Sequence, residues 1–111
     1  MGLVKRKEDN ATVVQVKGRL DAGSSPELEK EIDALAAAGE KNLLLDLAEL
    51  NYISSAGLRV ILAGAKKFKA KGGSLSVSSL VSVVKEVFDI SGFSSIIPIF
   101  GSVREALEKI I

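Results

Sequence analysis

Between two segments of helical periodicity lies Asn42-Leu43-Leu44-Leu45-Asp46-Leu47, a short and nearly continuous apolar run. It is too short for an ordinary helix and lacks the polar alternation of a strand with one wet face. It therefore predicts a strand buried on both faces. Such strands belong to sheets built by alternating strands and helices, and the flanking sequence supplies that alternation. Upstream, Leu28, Ile32 and Leu35 recur at spacings of four and three, forming one apolar stripe. Ser24 or Ser25 can cap this helix, Pro26 suits its first turn, and Ser24 with Glu27 has capping-box spacing. Gly39 ends it as a left-handed C-terminal residue does. Downstream, a helix over Ser55 to Lys71 carries the stripe Leu58, Ile61, Leu62, Ala65 and Phe68, and Gly72-Gly73 closes it.

The rest of the chain extends the pattern. Leu3 to Lys7 and Thr12 to Lys17 read as two short strands joined by the polar turn Glu8 to Ala11, an antiparallel hairpin at the sheet margin. Gly18 to Gly23 reads as a loop, and Ser74 to Ser78 alternates as a further strand. A third helix covers Ser82 to Ser91 with Val84, Val87 and Phe88 inward and Gly92 at its end. Ile96, Ile97 and Ile99 make a short extended segment interrupted by Pro98. Arg104 to Ile110 forms a last short helix, and Ile110-Ile111 docks on the core. The expected fold is α/β, one domain over residues 1–111, with a mixed sheet of four to five strands and about four helices. Parallel crossovers are right-handed. Polar residues at alternate positions of the opening strands indicate helices over only one face. Leu44, Leu58, Leu62 and Val77 are expected to be buried.

Composition narrows the chemistry. Lys plus Arg number 15 and Asp plus Glu 14, a net charge of +1, which argues against a dedicated nucleic-acid binder. The absence of Cys removes disulfides and thiolate chemistry, and the absence of His removes the commonest general base and transition-metal ligand. No cofactor or metal site is expected. No apolar run approaches the ~20 residues of a membrane helix, and Met1 to Asn10 lacks the apolar core of a signal peptide. A cytoplasmic protein without membrane insertion is the simplest reading.

The informative segment runs from Asp46 to Leu58, where the buried strand ends, passes a short loop and meets a helix beginning at two serines. Ligands commonly sit where parallel strands lead into helix N-termini, whose free N–H groups and partial positive charge favour a phosphate. Ser54 is the better cap and Ser55 the better exposed hydroxyl, the two roles being compatible. Asp46 and Glu49 could be paired carboxylates for acid-base work, but with no His, no Cys and no second acidic cluster they read as solvated loop charges. Gly57 and Gly64 share a helix face, with Gly64 packing internally. Lys66, Lys67, Lys69 and Lys71 read as a solvated face.

The stretch from Leu44-Asp46-Leu47 through Tyr52-Ile53-Ser54-Ser55-Ala56-Gly57-Leu58 resembles the signature of STAS (sulphate transporter and anti-sigma factor antagonist) domains. So do Gly18-Arg19-Leu20-Asp21, Lys71-Gly72-Gly73 and Val87-Phe88-Asp89-Ile90-Ser91-Gly92-Phe93, in family order and spacing. The resemblance implies a non-enzymatic regulator that binds an ATP-dependent serine kinase acting as anti-sigma factor and so releases a sigma factor. It implies that the kinase phosphorylates Ser55, ending the interaction, and that a PP2C-type phosphatase resets the cycle. Ser54 stands where the family commonly has an acid, and Ala56 where it has a hydroxyl residue. Asp21 resembles a family partner-contact position, although a turn residue making local backbone bonds fits it equally. The expected partner surface comprises Asp21, Asn51, Ser54, Ser55, Ala56 and Arg59. The alternative is a STAS accessory subunit of a transporter or stress-signalling complex, without phosphorylation.

Overall fold

The computed structural model describes residues 1–110. Strands β1 (Gly2–Lys7) and β2 (Thr12–Leu20) form the antiparallel hairpin, with Gly2 opposite Lys17 and Lys7 opposite Thr12. There follow α1 (Ser25–Ala37), β3 (Asn42–Asp46), β4 (Leu50–Ile53), α2 (Ser55–Ala70), β5 (Ser74–Ser78), α3 (Ser82–Ser91), β6 (Ile99–Phe100) and α4 (Val103–Lys109). A 3-10 turn, Phe93–Ser95, separates α3 from β6. The sheet order is β1-β2-β3-β5-β6, parallel beyond the hairpin, and β4 adds to β2 beyond the end of β3.

The fold is therefore the α/β mixed sheet expected, with four α-helices and six strands among the described residues. The additional strand is β4, in a stretch expected to be loop. It exists because β2 does not stop at Lys17. Thr12 to Gln15 of β2 pair with β3, and Gly18 to Leu20 pair with β4. The ladder is irregular between Gly18 and Arg19, where Gly18 takes φ +90°, a conformation that favours glycine. Its N–H still donates to the Glu49 carbonyl at 2.9 Å. The supposed loop Gly18 to Gly23 is thus strand up to Leu20. At the other edge only Ile99 and Phe100 pair, since Pro98 has no N–H to give, although its carbonyl accepts from Val77 N–H at 3.0 Å.

Alternation along β3 sorts the core. Leu43 and Leu45 join Val14, Val16, Leu75 and Val77 under α1, α2 and α3, together with Leu28, Ile32, Leu58, Ile61, Phe68, Val84 and Phe88. Leu44 points the other way, into a smaller cluster with Ala11, Val13, Ala106 and Ile110. Helices therefore cover both faces, three on one and α4 on the other, contrary to the one-sided expectation. The reason is Leu44 and Val13, which would otherwise leave an apolar strip wet. Ile110 is buried as expected, and Ile111 lies outside the described residues.

Two further expectations fail. Leu62 is only half-buried, while Ile61 beside it is fully enclosed. The helix face is centred on Ile61, Gly64 and Phe68, and Leu62 lies at its margin. Asp46 is not a solvated loop charge. It is 8% exposed, and its carboxylate accepts from Ala48 N–H at 3.1 Å as the chain turns out of β3. Gly64 packs internally as expected: a methyl group there would lie 3.0 Å from both Ile32 Cγ2 and Leu75 Cδ1.

A polar clasp ties the hairpin to the end of α1. Glu40 accepts from Lys7 Nζ at 2.6 Å and from the Thr12 hydroxyl. The Lys7 bond first, then the Thr12 bond, hold its carboxyl below the ordinary glutamate range. Its stabilising contribution is complete above that ordinary range and is lost as pH falls through the lowered value. Replacing Glu40→Gln should therefore reduce the loss of stability on acidification, read as the difference in urea midpoint between neutral and acidic pH. Ile61→Ala should cost about 2–5 kcal/mol, and Leu62→Ala distinctly less, in the same urea unfolding.

Candidate functional site

The start of α2 is set by β2. Ser54 N–H donates to the Leu20 carbonyl at 2.9 Å, continuing the β2–β4 ladder into the helix cap. Ser54 is the N-cap, with extended backbone, and its hydroxyl accepts from Gly57 N–H at 3.3 Å. The expected division between the serines holds: Ser54 caps, and Ser55, the first residue of α2, is exposed. Among the described residues the Ser55 hydroxyl has no hydrogen-bond partner, and the N–H groups of Ser55 and Ala56 have no acceptor. These donors give the end of the helix its partial positive charge. Gly57 allows the close approach, since a Cβ there would lie 2.7 Å from Leu20 Cγ and 3.1 Å from Ile53 Cγ1.

Asp21, one residue beyond Leu20, makes the local turn that its sequence position allowed. Its Oδ1 accepts from Gly23 N–H at 3.0 Å, Ser24 N–H at 3.1 Å and the Ser24 hydroxyl at 3.2 Å. The backbone bond from Ser24 is the main reason its carboxyl lies below the ordinary aspartate range; the Ser24 hydroxyl, Gly23 N–H and nearby Arg19 act in the same direction. Oδ2 lies 3.9 Å from Arg19 Nε. The capping box expected of Ser24 and Glu27 does not form. Ser24 is the N-cap of α1 but makes no side-chain cap bond; its hydroxyl oxygen accepts instead from Asp21 N–H at 3.0 Å, while its proton is directed at the Arg19 carbonyl at 2.8 Å.

The structure brings Asp21, Ser54, Ser55, Ala56 and Arg59 to one end of the sheet. Ala22, next to Asp21, lines with Ala56 and Arg59 an open groove of about 400 Å³ between α1 and α2. Asn51 is exposed near the start of β4 and does not line this groove. Arg19 and Tyr52 were not singled out as site residues by the sequence. They are paired across β2 and β4, with the guanidinium 4.0 Å from the ring centroid. Asn51 and Tyr52 are both exposed between buried Leu50 and Ile53, so β4 carries no alternation to reveal it. The groove left a fainter trace: Ala56, Val60 and Ala63 recur at four and three beside the main stripe of α2.

Among the described residues no helix is long and apolar enough to cross a membrane, and no cluster of acidic side chains has the geometry to hold a metal ion. Lys66, Lys67, Lys69 and Lys71 are exposed as expected, with Lys67 bonded to Asp33 and Lys71 to the Ala36 carbonyl. Because the Ser54 hydroxyl satisfies a helix N–H, Ser54→Ala should lower stability by about 1 kcal/mol. Ser55→Ala should change it by less than about 0.5 kcal/mol. Paired denaturant titrations check both values.

The STAS domain family model matches residues 3–106. BtrV of Bordetella bronchiseptica, provisionally named an anti-sigma factor antagonist, is 42% identical over 106 residues, covering 96% of this chain and 90% of that protein. The anti-sigma-B factor antagonist of Bacillus subtilis is 33% identical over 94 residues, covering 85% of each chain. The phosphorylated form of the Bacillus cell fate determinant SpoIIAA shares the fold, with a TM-score of 0.77, 16% identity, and coverage of 99% of this chain and 100% of that one. On its sequence signature, its sheet and these matches, the chain belongs to the STAS domain family.

Proposed function

We propose that the chain is an anti-sigma factor antagonist that binds a serine-kinase anti-sigma factor, releases a sigma factor, and is switched off by phosphorylation of Ser55. The observation that carries this reading is the division of labour at the start of α2. Ser54 is committed to capping, while Ser55 presents a free hydroxyl at an electropositive helix end. The relatives named as antagonists support the role, and the resemblance of the Tyr52 to Leu58 stretch to the family signature implies Ser55 as the phosphoacceptor. The partner surface is assigned to Asp21, Asn51, Ser54, Ser55, Ala56 and Arg59, on the turn after β2, on β4 and on the first turns of α2. A PP2C-type phosphatase resets the switch, and no cofactor takes part.

The switch acts through electrostatics. A phosphate on Ser55 adds about −1.5 to −2 charges at neutral pH. The free chain tolerates it, because two backbone N–H groups and the helix dipole face that charge. In the complex, a surface that fits a neutral hydroxyl must instead bury a hydrated anion, which is costly when incompletely paired. A penalty of about 3 kcal/mol weakens binding roughly 100-fold.

Ser55→Ala should bind the kinase as tightly as the unmodified chain but resist release on incubation with ATP. Ser55→Asp should bind more weakly with near-native stability. Mass spectrometry of the kinase-treated chain, paired with titration calorimetry, tests both. Phosphate on Ser54 instead of Ser55, or equal affinity of the modified and unmodified chains, would overturn the proposal.

A further inference from the structure

The groove between α1 and α2 has a floor of small or apolar side chains, Ala22, Pro26, Ala56, Val60 and Ala63, with Glu29 and Arg59 among the residues that line it. Deeper along the same helix pair, Gly64 meets Ile32 and no such space remains. Here three alanines leave about 400 Å³ open, a volume suited to one or two large apolar side chains. Glu29 and Arg59 are both exposed, and among the described residues neither makes an ion pair or a side-chain hydrogen bond. An apolar trough lined by two unspent opposite charges fits an occupant that is apolar at its centre and carries a charge of each sign beside it.

The position of the groove selects the occupant. Ala56 follows Ser55 directly and Ala22 follows Asp21, so the groove continues the surface assigned above to the kinase. A second copy of this chain is a poor fit. The face is concave, and among the described residues that line it the one branched aliphatic side chain, Val60, is itself half-buried. It offers no projecting apolar residue to fill its own image.

We infer that this groove is the specificity pocket for the serine-kinase anti-sigma factor. It receives an apolar side chain of the kinase, flanked by an acid that meets Arg59 and a base that meets Glu29. The inference rests on the function proposed above and deepens it. The pocket would discriminate among kinases that all accept the same serine, because shape and charge beside the acceptor differ where the acceptor does not.

The test uses the full chain and each purified serine-kinase anti-sigma factor of its own organism, with affinity read by calorimetry and Ser55 phosphorylation by mass spectrometry. Ala63→Leu fills the groove from an exposed helix position. It should weaken binding at least about tenfold while leaving the melting midpoint close to that of the unchanged chain. Arg59→Glu and Glu29→Lys should each weaken binding about tenfold, and Lys41→Glu, remote from the groove, less than about twofold. Binding and phosphorylation of Ala63→Leu and both charge variants at the unchanged chain's level would overturn the pocket and leave the function standing. Failure of every kinase to bind the unchanged chain would overturn both. Self-association that is lost in Ala63→Leu, with kinase affinity unaltered, would assign the groove to a second copy and overturn the inference.

Discussion

The seating of the start of α2 on the end of β2 is the contact on which the geometry of the site depends. The Ser54 N–H bond to the Leu20 carbonyl anchors the helix N-terminus to the end of β2. The missing side chain of Gly57 lets the helix come down until Leu20 and Ile53 touch its backbone. Neither element alone determines where Ser55 points. Together they fix it at the end of the sheet, beside the Asp21 turn that continues from Leu20. Overfilling such a contact typically costs 1–3 kcal/mol. Here it would also shift the first turn of α2, so stability and site geometry share one packing interaction.

β2 carries the larger part of the architecture because it has three neighbours. It is antiparallel to β1, parallel to β3 through Gln15, and parallel to β4 from Gly18. The irregularity at Gly18 is the joint between the last two pairings. It aims the end of β2 at α2, and the turn at Asp21 then leads into α1. The same joint explains why Arg19 and Tyr52 face each other at the surface, and why Gln15 reaches Glu49 at 2.9 Å across the β3–β4 turn.

Much of this was legible in the sequence because it followed from periodicity. The apolar run at Leu43 to Leu45 required burial on both faces, and the stripe of α2 required a helix. The features that escaped it arise from long-range pairing. β4 becomes a strand only because β2 extends past Lys17, and its own residues do not alternate. Asp46 is buried because β2 and β5 flank it in register, at Gln15 and Ser78. Leu62 follows the helical period but lies at the edge of the buried face, which is centred on Ile61, Gly64 and Phe68. At the site, residue type and spacing identified the two serines, whereas the groove depends on how far apart two helix faces settle. That separation is set by Gly64 against Ile32, immediately beyond Ala63 of the groove.

The proposed switch has a physical requirement that this arrangement meets. A regulator that alternates between partners by gaining and losing one phosphate works best when the modification changes affinity without changing the fold; otherwise part of the phosphate's free energy would go into unfolding. Two features favour that separation. The capping bond is made by Ser54, so modifying Ser55 removes no hydrogen bond that holds α2 in place. Among the described residues the backbone N–H groups of Ser55 and Ala56 have no acceptor, so a phosphate can gain donors without displacing other acceptors. The main chain that surrounds the site is held by strand pairing, a helix cap and the Asp21 turn, none of which uses the Ser55 hydroxyl. Under the proposed function, the free energy of the added charge is therefore expressed at the surface where the partner binds.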